Sequence, residues 1–107
     1  MIEIKITIDS DKNYHSFLAQ GHATSVHGGK GNNILCAAIS VLSQTLYIYA
    51  KKKSWLTFEK VAHDGFLEMV FNKQSSYEIN LAVGMVLEGI NNLLKQYPND
   101  IKLVIED

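Results

Sequence analysis

Cys36 and His22 are the two residues whose types and spacing could do covalent chemistry. The thiolate is the reactive form of cysteine, and a neighbouring imidazole can take its proton and later return it. Together with backbone N–H groups aimed at a developing oxyanion, they form the minimum for nucleophilic acyl transfer. Cys36 follows a glycine-containing stretch and opens an apolar run, which predicts a place in the first turn of a helix. There the positive helix end favours the thiolate, and unpaired N–H groups near Leu35 and Cys36 can hold an oxyanion. The same residues also fit blander roles. Cys36 within Ile34-Leu35-Cys36-Ala37-Ala38 suits an inert core position. A zinc set of His22, His27 and Cys36 is disfavoured, since structural sites show paired ligands at short spacing. No metal and no cofactor are expected. His15 is expected on a sheet face and His63 at an exposed turn.

The chain has 107 residues, the size of one domain, and a single-domain reading covers residues 1–107. Its single cysteine forms no internal disulfide, and residues 1–8 alternate where a basic-then-apolar leader would stand. Both features point to a reducing, cytoplasmic compartment. All ten cationic residues are lysine, and the net charge is −1. That balance argues against sequence-independent nucleic-acid binding, which rests on phosphate neutralisation. The glycine stretch lacks the Lys-Ser/Thr ending of a phosphate-binding loop.

The elements that must position Cys36 and His22 follow from periodicity. Ile2, Ile4, Ile6 and Ile8 alternate with polar residues, the pattern of a strand with one buried face. A polar turn over residues 9–13 leads to a second strand, 14–21, hairpinned to the first. Residues 21–31 hold Gly21, Gly28, Gly29 and Gly31 and predict a loop with much backbone freedom, suited to closing over a substrate. Residues 34–50 carry no formal charge. They fall short of the ~20 apolar residues of a membrane span. Ser40, Ser43, Gln44 and Thr45 interrupt them, so a largely buried helix is expected, capped by Asn32 or Asn33 and ended by Lys51-Lys52-Lys53.

Residues 55–62 and 66–72 predict two strands joined through His63-Asp64-Gly65. Ser75 and Glu78 have the spacing of a capping box. Ile79, Val83, Val86, Ile90, Leu93 and Tyr97 then recur at helical spacing. Gly84 and Gly89 within that helix suggest close approach of a neighbouring element or of a second subunit. Ile101, Leu103 and Ile105 form a last strand. The order β-β-α-β-β-α-β predicts an α+β two-layer sandwich, a mainly antiparallel sheet with two helices on one face.

Gly21-His22-Ala23, the glycine loop, and Gly31-Asn32-Asn33-Ile34-Leu35-Cys36-Ala37-Ala38-Ile39-Ser40 resemble the ribosomal-processing cysteine protease family. The family pattern is Gly-His-Ala, a loop, then Gly-x-Asp-Ile-Val-Cys-Ala-Ala-Val-Ser. The resemblance also takes in the opening strand, the Asp64-Gly65 hairpin and the glycine-containing second helix. It implies a small bacterial homodimer that removes a short N-terminal extension from protein twenty-seven of the large ribosomal subunit. In the family the cut follows an aromatic residue.

The resemblance further implies Cys36 as nucleophile and His22 as general base and acid, with Ser40, Asn33 and Gly21 in support and Gly28, Gly29 and Gly31 in the substrate loop. The partner is thus a ribosomal protein precursor, with neither nucleic acid nor membrane. Two departures stand out. Asn33 replaces the family's aspartate, although an amide can still orient an imidazole. The loop between His22 and Cys36 is also about two residues longer, which bears on substrate fit. The Asn33 departure motivates an alternative, a non-catalytic dimeric peptide-binding or ribosome-assembly module on the same fold.

Overall fold

Alternation of apolar and polar residues, read along five segments, builds the sheet. A computed structural model describes residues 1–21, 30–62 and 65–107, the side chains of residues 30–33 aside. The elements run β1 (Ile2–Ile8), β2 (Tyr14–Gly21), α1 (Lys30–Lys52), β3 (Leu56–Ala62), β4 (Phe66–Phe71), α2 (Ser76–Gln96) and β5 (Ile101–Glu106). This is the expected order. One mixed sheet forms, with strand order β3-β4-β2-β1-β5. β1 pairs antiparallel with β2 and parallel with β5, and β4 lies antiparallel between β2 and β3.

Register puts the apolar sets on one face. Ile4 faces Ala19 and Ile6 faces Phe17 across β1 and β2, while Phe17 faces Met69 and Ala19 faces Leu67 across β2 and β4. All six are buried, and they share a single core with Leu35, Ile39 and Leu46 of α1 and Ile79, Val83, Val86 and Ile90 of α2. Both helices therefore cover the same face of the sheet. Burial of a core aliphatic side chain contributes about 1.5–3 kcal/mol, so this shared core is the main term holding the helices down.

Three local expectations change. α1 begins at Lys30, so Asn32 and Asn33 lie inside the helix and do not cap it. α1 is also less buried than its composition suggests. Within Ile34–Lys52 only 28% of the most apolar stretch is buried. The helix is long and apolar enough to cross a membrane, yet its inner face packs on the sheet. Its outer face shows Ile34, Val41 and Ile48 at seven-residue spacing, each about 60% exposed.

The capping box at α2 does not form: Ser75 makes no side-chain cap bond. The Asn72 side chain accepts from the Ser75 N–H instead, and the Ser76 hydroxyl donates to the Lys73 carbonyl. At the other end of α1, Lys51 and Lys52 do fall in the last turn, where the helix dipole is negative.

The two glycines of α2 separate. A Cβ at Gly89 would lie 3.0 Å from a methyl of Leu42, so this glycine lets α2 approach α1. A Cβ at Gly84 meets nothing within 4 Å. Close approach within the chain thus explains Gly89 and leaves Gly84 unexplained. Gly84→Ala is expected to stabilise the fold by up to ~1 kcal/mol through helix propensity. Gly89→Ala should lose that gain to the Leu42 contact. Denaturant midpoints of the two variants check the contrast.

Candidate active-site groove

The strand-to-helix connection sets the site. β2 ends at Gly21, whose φ is +94° and whose added Cβ would stand 2.3 Å from the Met1 carbonyl oxygen. No side chain fits there, and an L-residue rarely adopts that backbone. Gly21 also donates its N–H to the Gly65 carbonyl at 3.1 Å, tying the end of β2 to the β3–β4 turn. His22, Gly28 and Gly29, like His27, His63 and Asp64, lie outside the described residues. Gly31 and Asn33 fall within the first turns of α1.

Cys36 is half-buried on α1 and opens onto a groove of about 450 Å³. This is a usual size for a ligand site. One wall is a single face of α1: Cys36, Ser40, Ser43, Gln44 and Tyr47. Their offsets of 4, 7, 8 and 11 residues are those of a helical stripe. The floor comes from Ile2 and Ala19, and the other wall from Val61, Ala62, Phe66 and Leu67 on β3 and β4. Gly21 lies at the mouth. The groove thus brings together Cys36, Ser40 and Gly21 from the sequence-predicted set. Sequence reasoning assigned none of the other lining residues to a groove. The helical stripe counted from Cys36 could have found Ser43, Gln44 and Tyr47. The β3 and β4 residues needed the strand pairing.

Among the described residues, the lining carries no charged side chain. A groove with apolar walls and a few hydroxyl and amide groups suits a neutral, extended peptide better than a phosphate or a polyanion. Its outer wall is held by a polar tie. Tyr47 Oη donates to Glu59 Oε1 at 2.8 Å, and Lys51 Nζ donates to the same oxygen at 3.0 Å. These bonds, that of Tyr47 first, hold the Glu59 carboxyl below its ordinary range, and the Lys51 ammonium is raised by the same partner. A lowered carboxyl contributes its tie above the ordinary carboxyl range and loses it as pH falls through the lowered one.

Where α1 starts matters for chemistry. Cys36 is the seventh residue of the helix. Its N–H and that of Leu35 face the carbonyls of Asn32 and Gly31 in the i→i−4 ladder, so neither is one of the unpaired N–H groups of the first turn. The helix dipole also fades within that first turn. The expected oxyanion donors and helix-end activation are therefore not supplied by Leu35 and Cys36. Among the described residues of this face, the donor nearest to Cys36 along the helix is the hydroxyl of Ser40, one turn beyond the thiol and exposed in the groove. Among the described residues, no group of three or more His, Cys, Asp or Glu side chains could hold a metal ion.

Comparison with known proteins finds the same fold. The fold is similar to the crystal structure of an essential ribosomal processing protease Prp from S. aureus in complex with a substrate peptide, with TM-score 0.81 and 18% identity over 98% of this chain and 99% of that one. A second structure of that protease, with a covalently linked product peptide, gives TM-score 0.74 and 20% identity over 98% and 99% of the two chains. SMU.848 from Streptococcus mutans gives TM-score 0.77 and 24% identity over 100% and 96%. No curated protein matches significantly. The model of the family described as cysteine protease Prp matches residues 1–102, nearly the whole chain, and on that match the chain belongs to this family of ribosomal-processing cysteine proteases.

Proposed function

We propose that the protein is a cysteine endopeptidase that removes the short N-terminal extension of protein twenty-seven of the large ribosomal subunit, and so supports ribosome assembly in the cytoplasm. The observation that carries this reading is Cys36 on a neutral, apolar-walled groove with Ser40 one turn beyond it.

In the proposed reaction His22 takes the proton of Cys36, and the sulfur attacks the scissile carbonyl carbon. The carbonyl π electrons move to oxygen, which accepts a hydrogen bond from Ser40. Collapse of this intermediate breaks the C–N bond, and His22 returns its proton to the leaving amine. Water, deprotonated by His22, then releases the acyl group and restores the thiol. With the helix end removed as an activator, His22 carries the deprotonation of Cys36, and Asn33 is the residue proposed to orient it.

A homodimer is also proposed. The apolar outer face of α1, Ile34 and Val41 with Ile48 at the groove rim, supports it, as does the open space at Gly84.

The amide of Asn33 in place of a carboxylate favours one competing reading, a peptide-binding module without turnover. Multiple turnover of a peptide spanning the junction between extension and mature protein separates the two. Product in excess of enzyme supports the peptidase. Peptide bound and recovered whole supports the binding module.

A further inference from the structure

The groove contains one polar group that the proposed reaction leaves unused. Ser43 is the one polar residue among the fully buried residues described, at 3% exposure. Its Oγ is buried and has no hydrogen-bond partner among the described residues. It sits on the same face of α1 as Cys36, seven residues along, about 10 Å by helical rise. It lines the groove beside Ile39, Tyr47 and Leu67. A buried hydroxyl without a partner is costly, and native structures hold few of them. Alanine would fill the same helical position with better propensity and no such cost. Bulk water does not reach the oxygen in the empty groove, so pairing needs a ligand whose entry turns or uncovers the hydroxyl.

We propose that Ser43 is a specificity-determining residue: its hydroxyl pairs with the neutral, hydrogen-bonding tip of one substrate side chain whose apolar body fills the groove. The inference rests on the peptidase reading only in taking the groove as the peptide's site. The tip is neutral because the described lining offers no charged side chain to pair with an ion, and burying an unpaired charge is far costlier than burying a hydroxyl. The body is apolar because Ile39, Phe66 and Leu67 surround it. Tyrosine and glutamine have this build; phenylalanine and methionine share the shape and lack the tip. A site built to hydrogen-bond a tip discriminates strongly against the analogue without one.

The test uses peptides spanning the proposed junction, made in matched pairs with Tyr against Phe and Gln against Met at each position in turn. Binding to the wild-type protein and to Ser43→Ala is measured by fluorescence anisotropy, with thermal melts of both proteins. At one position the wild type should bind the Tyr or Gln member about tenfold tighter. Ser43→Ala should bring that ratio to about one and melt no lower than wild type. A wild type with no preference at any position overturns the proposal. So does a preference that survives in Ser43→Ala, or a variant that melts well below wild type, since that would give Oγ a partner within the fold. Turnover in the same samples reads the peptidase proposal separately: tight, selective binding with no cleavage would remove the peptidase and leave the role of Ser43 standing.

Discussion

Cys36→Ala should abolish cleavage of a junction peptide, lowering kcat/KM by on the order of 10⁴-fold or more while the fold persists. Removal of a covalent nucleophile has an effect of this size because no other group takes over bond formation. Cys36 is the chain's only cysteine, so no second thiol can substitute. The stability change should be small. Cys36 is half-buried on the rim of the core, and alanine is the better helix former, so the net effect should stay within about 1 kcal/mol. Peptide affinity should persist, because alanine removes one sulfur and leaves the rest of the groove wall in place. Steady-state kinetics, a peptide titration and a denaturation curve on the same variant check all three. His22→Ala should match it in turnover and also slow the labelling of Cys36 by iodoacetamide at pH 7.

The second large effect is expected from a residue with no side chain. Gly21→Ala forces a Cβ to within 2.3 Å of the Met1 carbonyl oxygen and a methyl onto a backbone at φ +94°. Neither obstacle can be relieved by a rotamer change, because the clash is with backbone and the strain is in φ. The expected cost is about 2 kcal/mol or more. The activity loss should exceed what the unfolded fraction explains. Gly21 immediately precedes His22, and displacing a reacting group by about 1 Å can cost 10²-fold. Activity measured well below the melting temperature, compared with a destabilised core variant such as Ile90→Val, separates misplacement from unfolding.

Much of the fold was legible because its signals are periodic. β2 spans the residues expected of it, and the α2 positions Ile79, Val83, Val86 and Ile90 are all buried. What failed were end effects and faces. Asn32 and Asn33 are good caps in type, but the helix starts ahead of them. Composition alone could not show that Ile34, Val41 and Ile48 point outward, since an apolar residue reads the same on either face of a helix. Ser75 and Glu78 have capping-box spacing, yet Asn72 bonds the Ser75 N–H instead.

Of the candidate site, the helix face that carries Cys36 and Ser40 was legible and the opposite wall was not. Cys36 and Ser40 stand four residues apart in sequence and so share a helix face. Val61, Phe66 and Leu67 join them through strand pairing, which no local spacing encodes. The position of Cys36 within the helix also changed its expected chemistry. Moving the helix start from the asparagines back to Lys30 takes away the helix-end donors, and in the proposed reaction the activation of the thiol falls to His22.

The central claim is that Cys36 cuts an N-terminal extension from a ribosomal protein. The most direct test is the intact mass of the full-length precursor of protein twenty-seven after incubation with catalytic amounts of the purified protein. The account predicts complete conversion to two products whose masses sum to that of the precursor plus one water, from a single cut that frees the extension. With Cys36→Ala the precursor should remain whole. A precursor left uncut by the wild-type protein, or cut equally well by Cys36→Ala, would contradict it.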